Sequence, residues 1–103
     1  MGEYALFGKF IAKDGERETL VKILLTAADS MQDLDDCEIY LVNISPEEPN
    51  SVFVYEVWRD ESAHQASLTL EAAQTLIQQA KPIIAGMERI ATLSPRGGKG
   101  IKG

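Results

Sequence analysis

The stretch Tyr4-Ala5-Leu6-Phe7-Gly8-Lys9-Phe10-Ile11-Ala12 limits the folds open to this chain more than any other. Read with the two-residue period of a β-strand, Tyr4, Leu6, Phe10 and Ala12 fall on one face and Ala5, Phe7 and Ile11 on the other. A strand with one side in water alternates apolar with polar residues, whereas this one is apolar on both. Its sheet must be covered twice, either by helices on both sides or by helices on one side and a partner on the other. At 103 residues the chain is one small domain. Cores of that size are marginal on their own, which favours the partner.

The rest of the chain supplies the helices and the remaining strands. Asp14 and Gly15 open a helix, with Asp14 as its expected N-cap and Glu16 and Glu18 in its first turn, where the helix dipole favours negative charge. Leu20, Leu24, Ala27, Ala28 and Met31 recur at helical spacing and form its buried stripe, and Glu18 and Lys22 are an i,i+4 pair on its outside. A second strand runs from Cys37 to Ile44, and a third from Val52 to Arg59, rich in β-branched and aromatic residues. Between them Ser45-Pro46-Glu47-Glu48-Pro49-Asn50 reads as a turn, so the two strands form an antiparallel hairpin. Asp60 caps a short helix over Glu61–Ser67, and a further helix from Thr69 carries the stripe Ala72, Ala73, Leu76, Ile77 and Ala80 until Pro82 ends it. Met87 to Leu93 is the last strand.

This order is that of a ferredoxin-like βαββαβ domain of the α+β class: a four-stranded antiparallel sheet with its helices on one face. The domain is expected over residues 1–93, followed by a flexible Gly/Lys-rich tail over 94–103. The other sheet face stays apolar and is the expected interface of a homodimer.

Charge and composition exclude several classes of function. Three of the 10 basic residues, Arg96, Lys99 and Lys102, lie in the tail, leaving seven against 16 acids in the body. Such a body repels phosphate backbones, so no nucleic-acid partner is expected. No apolar run approaches the length of a membrane span, and Met1-Gly2-Glu3-Tyr4-Ala5 does not resemble a secretory leader, so we expect a cytoplasmic protein with no membrane partner. Cys37 is the single cysteine; beside acids its thiol is a poor nucleophile. Asp33, Asp35 and Asp36 lack the glycine and distal glutamate of a calcium loop and read as a solvated turn.

The chemistry is concentrated in Val54-Tyr55-Glu56-Val57-Trp58-Arg59-Asp60-Glu61-Ser62-Ala63-His64-Gln65-Ala66-Ser67-Leu68. Glu56 and Trp58 share one face of the third strand, and His64 and Ser67 share one side of the short helix. These side chains can converge where strand passes into helix. His64 is the candidate base, against a role as a capping or interface histidine. Trp58 is either the aromatic wall of a pocket or a core residue. Glu56 orients His64 or pairs with Arg59 or Arg89. Asn43, on the face of Ile39 and Leu41, either anchors a substrate oxygen or makes a hairpin hydrogen bond. Ser67 and Tyr55 complete the candidate substrate contacts, although Tyr4, Tyr40 and Tyr55 also suit packing with hydroxyls at the rim.

The strand–helix order, Tyr55-Glu56-Val57-Trp58, Ala63-His64 and Ala66-Ser67-Leu68 resemble the antibiotic biosynthesis monooxygenase family over roughly residues 3–93. Ala80-Lys81-Pro82-Ile83-Ile84 is similar to its quinol monooxygenase branch. The resemblance implies a dimeric α+β barrel with one pocket per subunit. It also implies oxidation of a small quinol-like or polyphenolic aromatic substrate by O2 without metal, flavin or haem. His64 and Trp58 would be the catalytic pair, with Glu56, Asn43, Ser67 and Tyr55 at the substrate. The alternative is a barrel that binds a small aromatic ligand and catalyses nothing. The haem-degrading branch fits poorly, because Leu70 to Lys81 contains no histidine to ligate iron.

Overall fold

The computed structural model describes residues 3–99. The elements follow the order β1 (Tyr4–Ala12), α1 (Arg17–Ser30), β2 (Cys37–Ser45), β3 (Glu48–Trp58), α2 (Glu61–Ser67), α3 (Glu71–Ala80), a 3-10 turn (Lys81–Ile83) and β4 (Ile84–Leu93). The four strands form one antiparallel sheet in the order β2-β3-β1-β4, the expected ferredoxin-like arrangement. No helix among the described residues is long and apolar enough to cross a membrane.

The two faces of the sheet differ in what covers them. Register pairs Leu6 with Glu56, Gly8 with Val54 and Phe10 with Val52, and these residues share the helix side with Tyr40 and Val42 of β2. There Ala12, Leu20, Leu24, Val52, Val54 and Ala80 make the main core, with Leu20 and Leu24 from α1 almost wholly buried. Burying each such leucine stabilises the fold by about 2 kcal/mol. A second cluster, Met31, Trp58 and Ala63, joins the end of α1 to α2. The opposite face carries Phe7 and Phe53 stacked at 6.0 Å, Tyr55, and the exposed Leu41 and Leu93. No helix lies over it.

Several boundaries differ from expectation for physical reasons. Helix α1 begins at Arg17 with Glu16 at its N-cap and no side-chain cap; the Asp14 carboxylate accepts instead from the Asn50 amide at 2.8 Å, tying the helix entry to β3. Glu18 is bridged to Arg17 rather than to Lys22. The hairpin turn shrinks to Pro46-Glu47, stabilised by the Glu47 N–H donating to Ser45 Oγ, and β3 starts at Glu48. Pro49 is tolerated inside β3 because pairing with β1 stops at Ser51, so its missing N–H breaks no bond there. Thr69 closes α2, its hydroxyl donating to the Ala66 carbonyl, and α3 starts two residues later. Ile77, expected in the stripe of α3, is 52% exposed. β4 begins at Ile84, directly after the 3-10 turn that holds Pro82. Residues 94–99 form neither strand nor helix, and 100–103 of the expected tail lie outside the described residues.

Candidate active site

A cavity of about 660 Å³ lies between the helix side of the sheet and the helices. That volume suits a small organic ligand. Its walls are apolar, among them Leu6, Leu24, Met31, Leu76 and Ile84, and it opens past Leu68, Ile77 and Met87, all substantially exposed.

One end of the cavity is polar. Trp58 Nε1–H donates to Glu56 Oε1 at 2.9 Å, and His64 Nε2 stands 3.9 Å from the same oxygen. The His64 ring packs against the Trp58 edge at 5.6 Å and beside Tyr4 at 5.7 Å. The arrangement follows from local structure. Glu56 and Trp58 point the same way from β3, and Asp60, in extended conformation, caps α2 by accepting from the Ala63 N–H at 2.7 Å. The chain thereby turns sharply enough to bring His64 back over Trp58. Ser67 is buried and its hydroxyl donates to the His64 carbonyl, so it fixes the backbone of the histidine while lining the cavity.

Electrostatics set the protonation states. Burial pushes the Glu56 carboxyl above the ordinary carboxylate range, opposed by the Trp58 hydrogen bond and by the charge of Arg89. Burial and the same arginine hold His64 below its ordinary value, opposed by Glu61. His64 is therefore a neutral imidazole at pH 7, able to accept a proton. Burial raises Cys37 to about 11, with Glu56 and Glu38 adding to the effect, so the thiol is unreactive, as expected. Burial likewise raises the phenol of Tyr40.

Of the six candidate residues, the structure brings together four: His64, Trp58, Glu56 and Ser67. Trp58 is only 1% exposed, so its indole is packed core that borders the cavity rather than an open stacking face. Asn43 and Tyr55 lie elsewhere. Asn43 is on the open side of β2, where its amide donates to the Phe53 carbonyl at 3.2 Å, the hairpin bond rather than a substrate contact. Tyr55 pairs with Phe7 and Leu41 on that same open side, so strand alternation carries it away from the cavity. Arg59 is turned outward, bridged to Asp36 at 2.7 Å and to Asp60 at 3.4 Å. Of the two arginines, only Arg89 lines the cavity and acts on Glu56. Among the described residues, no three His, Cys, Asp or Glu side chains gather into a group that would hold a metal.

Sheet order and helix placement define a ferredoxin-like α+β domain, built around an apolar cavity with a polar cluster at one end. Comparison with known proteins gives the family. The antibiotic biosynthesis monooxygenase family matches residues 4–79, and the chain belongs to it. A protein from Chloroflexus aurantiacus J-10-fl, described provisionally as an antibiotic biosynthesis monooxygenase, is 32% identical with a TM-score of 0.83, covering 94% of this chain and 96% of its own. Two further structures show the same fold at lower identity. SO0527 from Shewanella oneidensis is 22% identical (TM-score 0.82, 89% of each chain), and PA3566 from Pseudomonas aeruginosa is 15% identical (TM-score 0.84, 94% of this chain and 97% of its own). No curated protein matches the chain.

Proposed function

We propose that this protein is a monooxygenase that oxidises a quinol-like or polyphenolic aromatic with O2, without a bound cofactor, and that it works as a homodimer joined through the open sheet face. The observation that carries the reading is His64 standing 3.9 Å from Glu56 at the polar end of an otherwise apolar cavity. Family membership and the Chloroflexus relative support the reaction class. His64 takes the phenolic proton as base, and the electron-rich anion that results passes an electron to O2. One oxygen atom stays on a ring carbon and the other leaves as water. The substrate supplies the four electrons and both hydrogens of that water. Trp58 holds Glu56 in place, and Glu56 favours the imidazolium that forms transiently beside it.

The test is oxygen uptake by metal-stripped protein given reduced naphthoquinols and anthrones, with no protein and His64→Ala as controls. Uptake well above both controls, with a hydroxylated or quinone product, is the expected result. A folded protein whose Trp58 fluorescence is quenched by these aromatics, yet which consumes no oxygen, is instead a binding protein.

A further inference from the structure

We propose that Arg89 is the counter-charge that lets this cavity bind its aromatic ligand as an oxyanion, so that the preferred ligand class is an ionised hydroxyaromatic rather than a neutral one. The inference rests on the proposed chemistry only in placing the ligand in this cavity. It begins with an irregularity in β4. Phe7 pairs with Ala91, but Gly8 pairs with Arg89, so Ile90 is an extra residue in a β-bulge. In an unbroken ladder Ile90 would face the cavity opposite Gly8, and Arg89 would point to the open side of the sheet. Two residues further on, Glu88 would also face the cavity. The bulge exchanges these placements. Arg89 turns to the cavity side, and Glu88 turns to the open side, where it meets Lys9 at 3.7 Å. A single extra residue thus puts Arg89 at the cavity-side register position, while Glu88, which also borders the cavity, is drawn to Lys9.

The opposing strand is fitted to this exchange. A Cβ on Gly8 would lie 3.0 Å from the Glu88 carbonyl oxygen, so any side chain there would press β4 outward at the bulge. The lack of one leaves the cavity floor open opposite Arg89.

The charges around the site leave this cation available. Lys9 is engaged by Glu48 at 2.8 Å and by Glu88. Lys81 also lines the cavity, from the 3-10 turn at the Ala12 end of β1, whereas Arg89 is the cation whose charge acts on Glu56 and His64. Arg89 makes no ion pair among the described residues, although Glu56 of β3 and His64 of α2 both respond to its charge. Glu61 of α2 acts on His64 in the opposite sense, and Tyr40 and Cys37 of β2 are neutral. The acidic body repels anions at long range, so a ligand oxyanion is favoured only close to Arg89. When a hydroxyl ionises in the cavity, the O–H bond breaks, its electron pair stays on oxygen opposite Arg89, and the proton leaves through His64 to solvent.

The experiment uses 4-nitrophenol, whose ionised form is read by its colour, and 4-nitroanisole, which cannot ionise. Neither serves as the oxidised substrate, so the result stands apart from oxygen uptake. With the wild-type chain the bound nitrophenol is expected to ionise at least about one pH unit lower than in water, a tenfold preference for the anion. Arg89→Gln should remove that shift while binding nitroanisole as the wild type does, and Arg89→Lys should restore part of it. Ionisation of bound nitrophenol at its free value, an equal shift in Arg89→Gln, or failure of the wild type to bind nitrophenol each overturns the proposal. Oxygen uptake that fails while the shift is present would overturn the monooxygenase reading alone.

Discussion

Trp58 and Glu56, two residues apart on β3, are joined by an indole N–H donating to a carboxylate oxygen at 2.9 Å inside the cavity wall. Nearly all of that indole is buried against Met31 and Ala63, so the bond has no water to replace it. Trp58→Phe keeps a ring but leaves Glu56 without this donor and opens a gap. We expect a loss of about 3 kcal/mol in folding stability by urea denaturation. The Glu56 carboxyl also loses the bond that holds its pKa down, so it should titrate at still higher pH in the variant. An intact midpoint would show that the indole bond is not structural.

Glu56 and His64 shift in opposite directions, and this predicts two opposed effects of pH on stability. His64 is lowered from 6.5, so below that pH the unfolded chain protonates first. Its contribution is complete above pH 6.5 and is lost as pH falls through the lowered folded value. Glu56 is raised from 4.5, so its contribution is complete below pH 4.5 and is lost as pH rises through the raised folded value. Glu56→Gln, which retains an acceptor for Trp58, should therefore be more stable than wild type at pH 7 and gain nothing at pH 4. Urea titrations at the two values measure this, and equal effects at both would contradict the assigned burial.

The same two groups shape the rate. With a neutral imidazole as base, kcat/KM should fall on the acid side with a midpoint below 6.5. Because the pair stand 3.9 Å apart, the limb alone does not say which of them titrates. His64→Gln should abolish the limb along with most of the rate, whereas Glu56→Gln should shift it and leave it present. A limb that survives in His64→Gln assigns the base elsewhere.

Much of this site can be read from residue order because it depends on short-range periodicity. Glu56 and Trp58 share a face by strand alternation, Asp60 caps α2 as its type and place suggest, and the two apolar faces of β1 imply one face covered by helices and one left open. What could not be read depends on contacts between distant segments. Asp14 was the obvious cap for α1, yet its carboxylate is taken by Asn50 across 36 residues. Pro49 reads as part of the turn, yet it lies inside β3 because pairing with β1 stops short of it. Arg89 was visible as a partner for Glu56, but its placement depends on a bulge at Ile90, and that inserted residue reverses the side chains from Arg89 to Gly86 until a second register shift before Ile84. Asn43 and Tyr55 failed as cavity residues although their parity was legible, because nothing local says which face of the hairpin the helices will cover.

Asp60 holds α2, and with it His64, in position through one capping bond. Asp60→Ala should cost about 1 kcal/mol, and Asp60→Asn, which can still accept from the Ala63 N–H, much less. The loss should be local. Amide exchange in Ala63 to Ser67 should speed up in Asp60→Ala while exchange in α1 stays at the wild-type rate, and a uniform increase across both helices would show that the cap serves only global stability.

The open sheet face makes the last prediction, which concerns assembly. Leu41 is 54% exposed beside Tyr55, and the stacked pair Phe7 and Phe53 lies next to it, with Lys9 Nζ 5.7 Å from the Phe53 ring centre. A contiguous apolar face of this kind, uncovered by any helix of the described chain, is expected to be buried against a second copy. Leu41→Arg tests this cleanly, because a half-exposed residue on edge strand β2 can be changed with little effect on the monomer, within about 0.5 kcal/mol. In sedimentation the wild type should run as a dimer and Leu41→Arg as a monomer with an unchanged circular dichroism spectrum. In a symmetric interface each substitution acts twice, so the shift should be large, and any part that comes from charge repulsion should weaken as salt is added. A wild-type monomer at micromolar concentration would remove the homodimer from the proposal and leave that face open to a different partner.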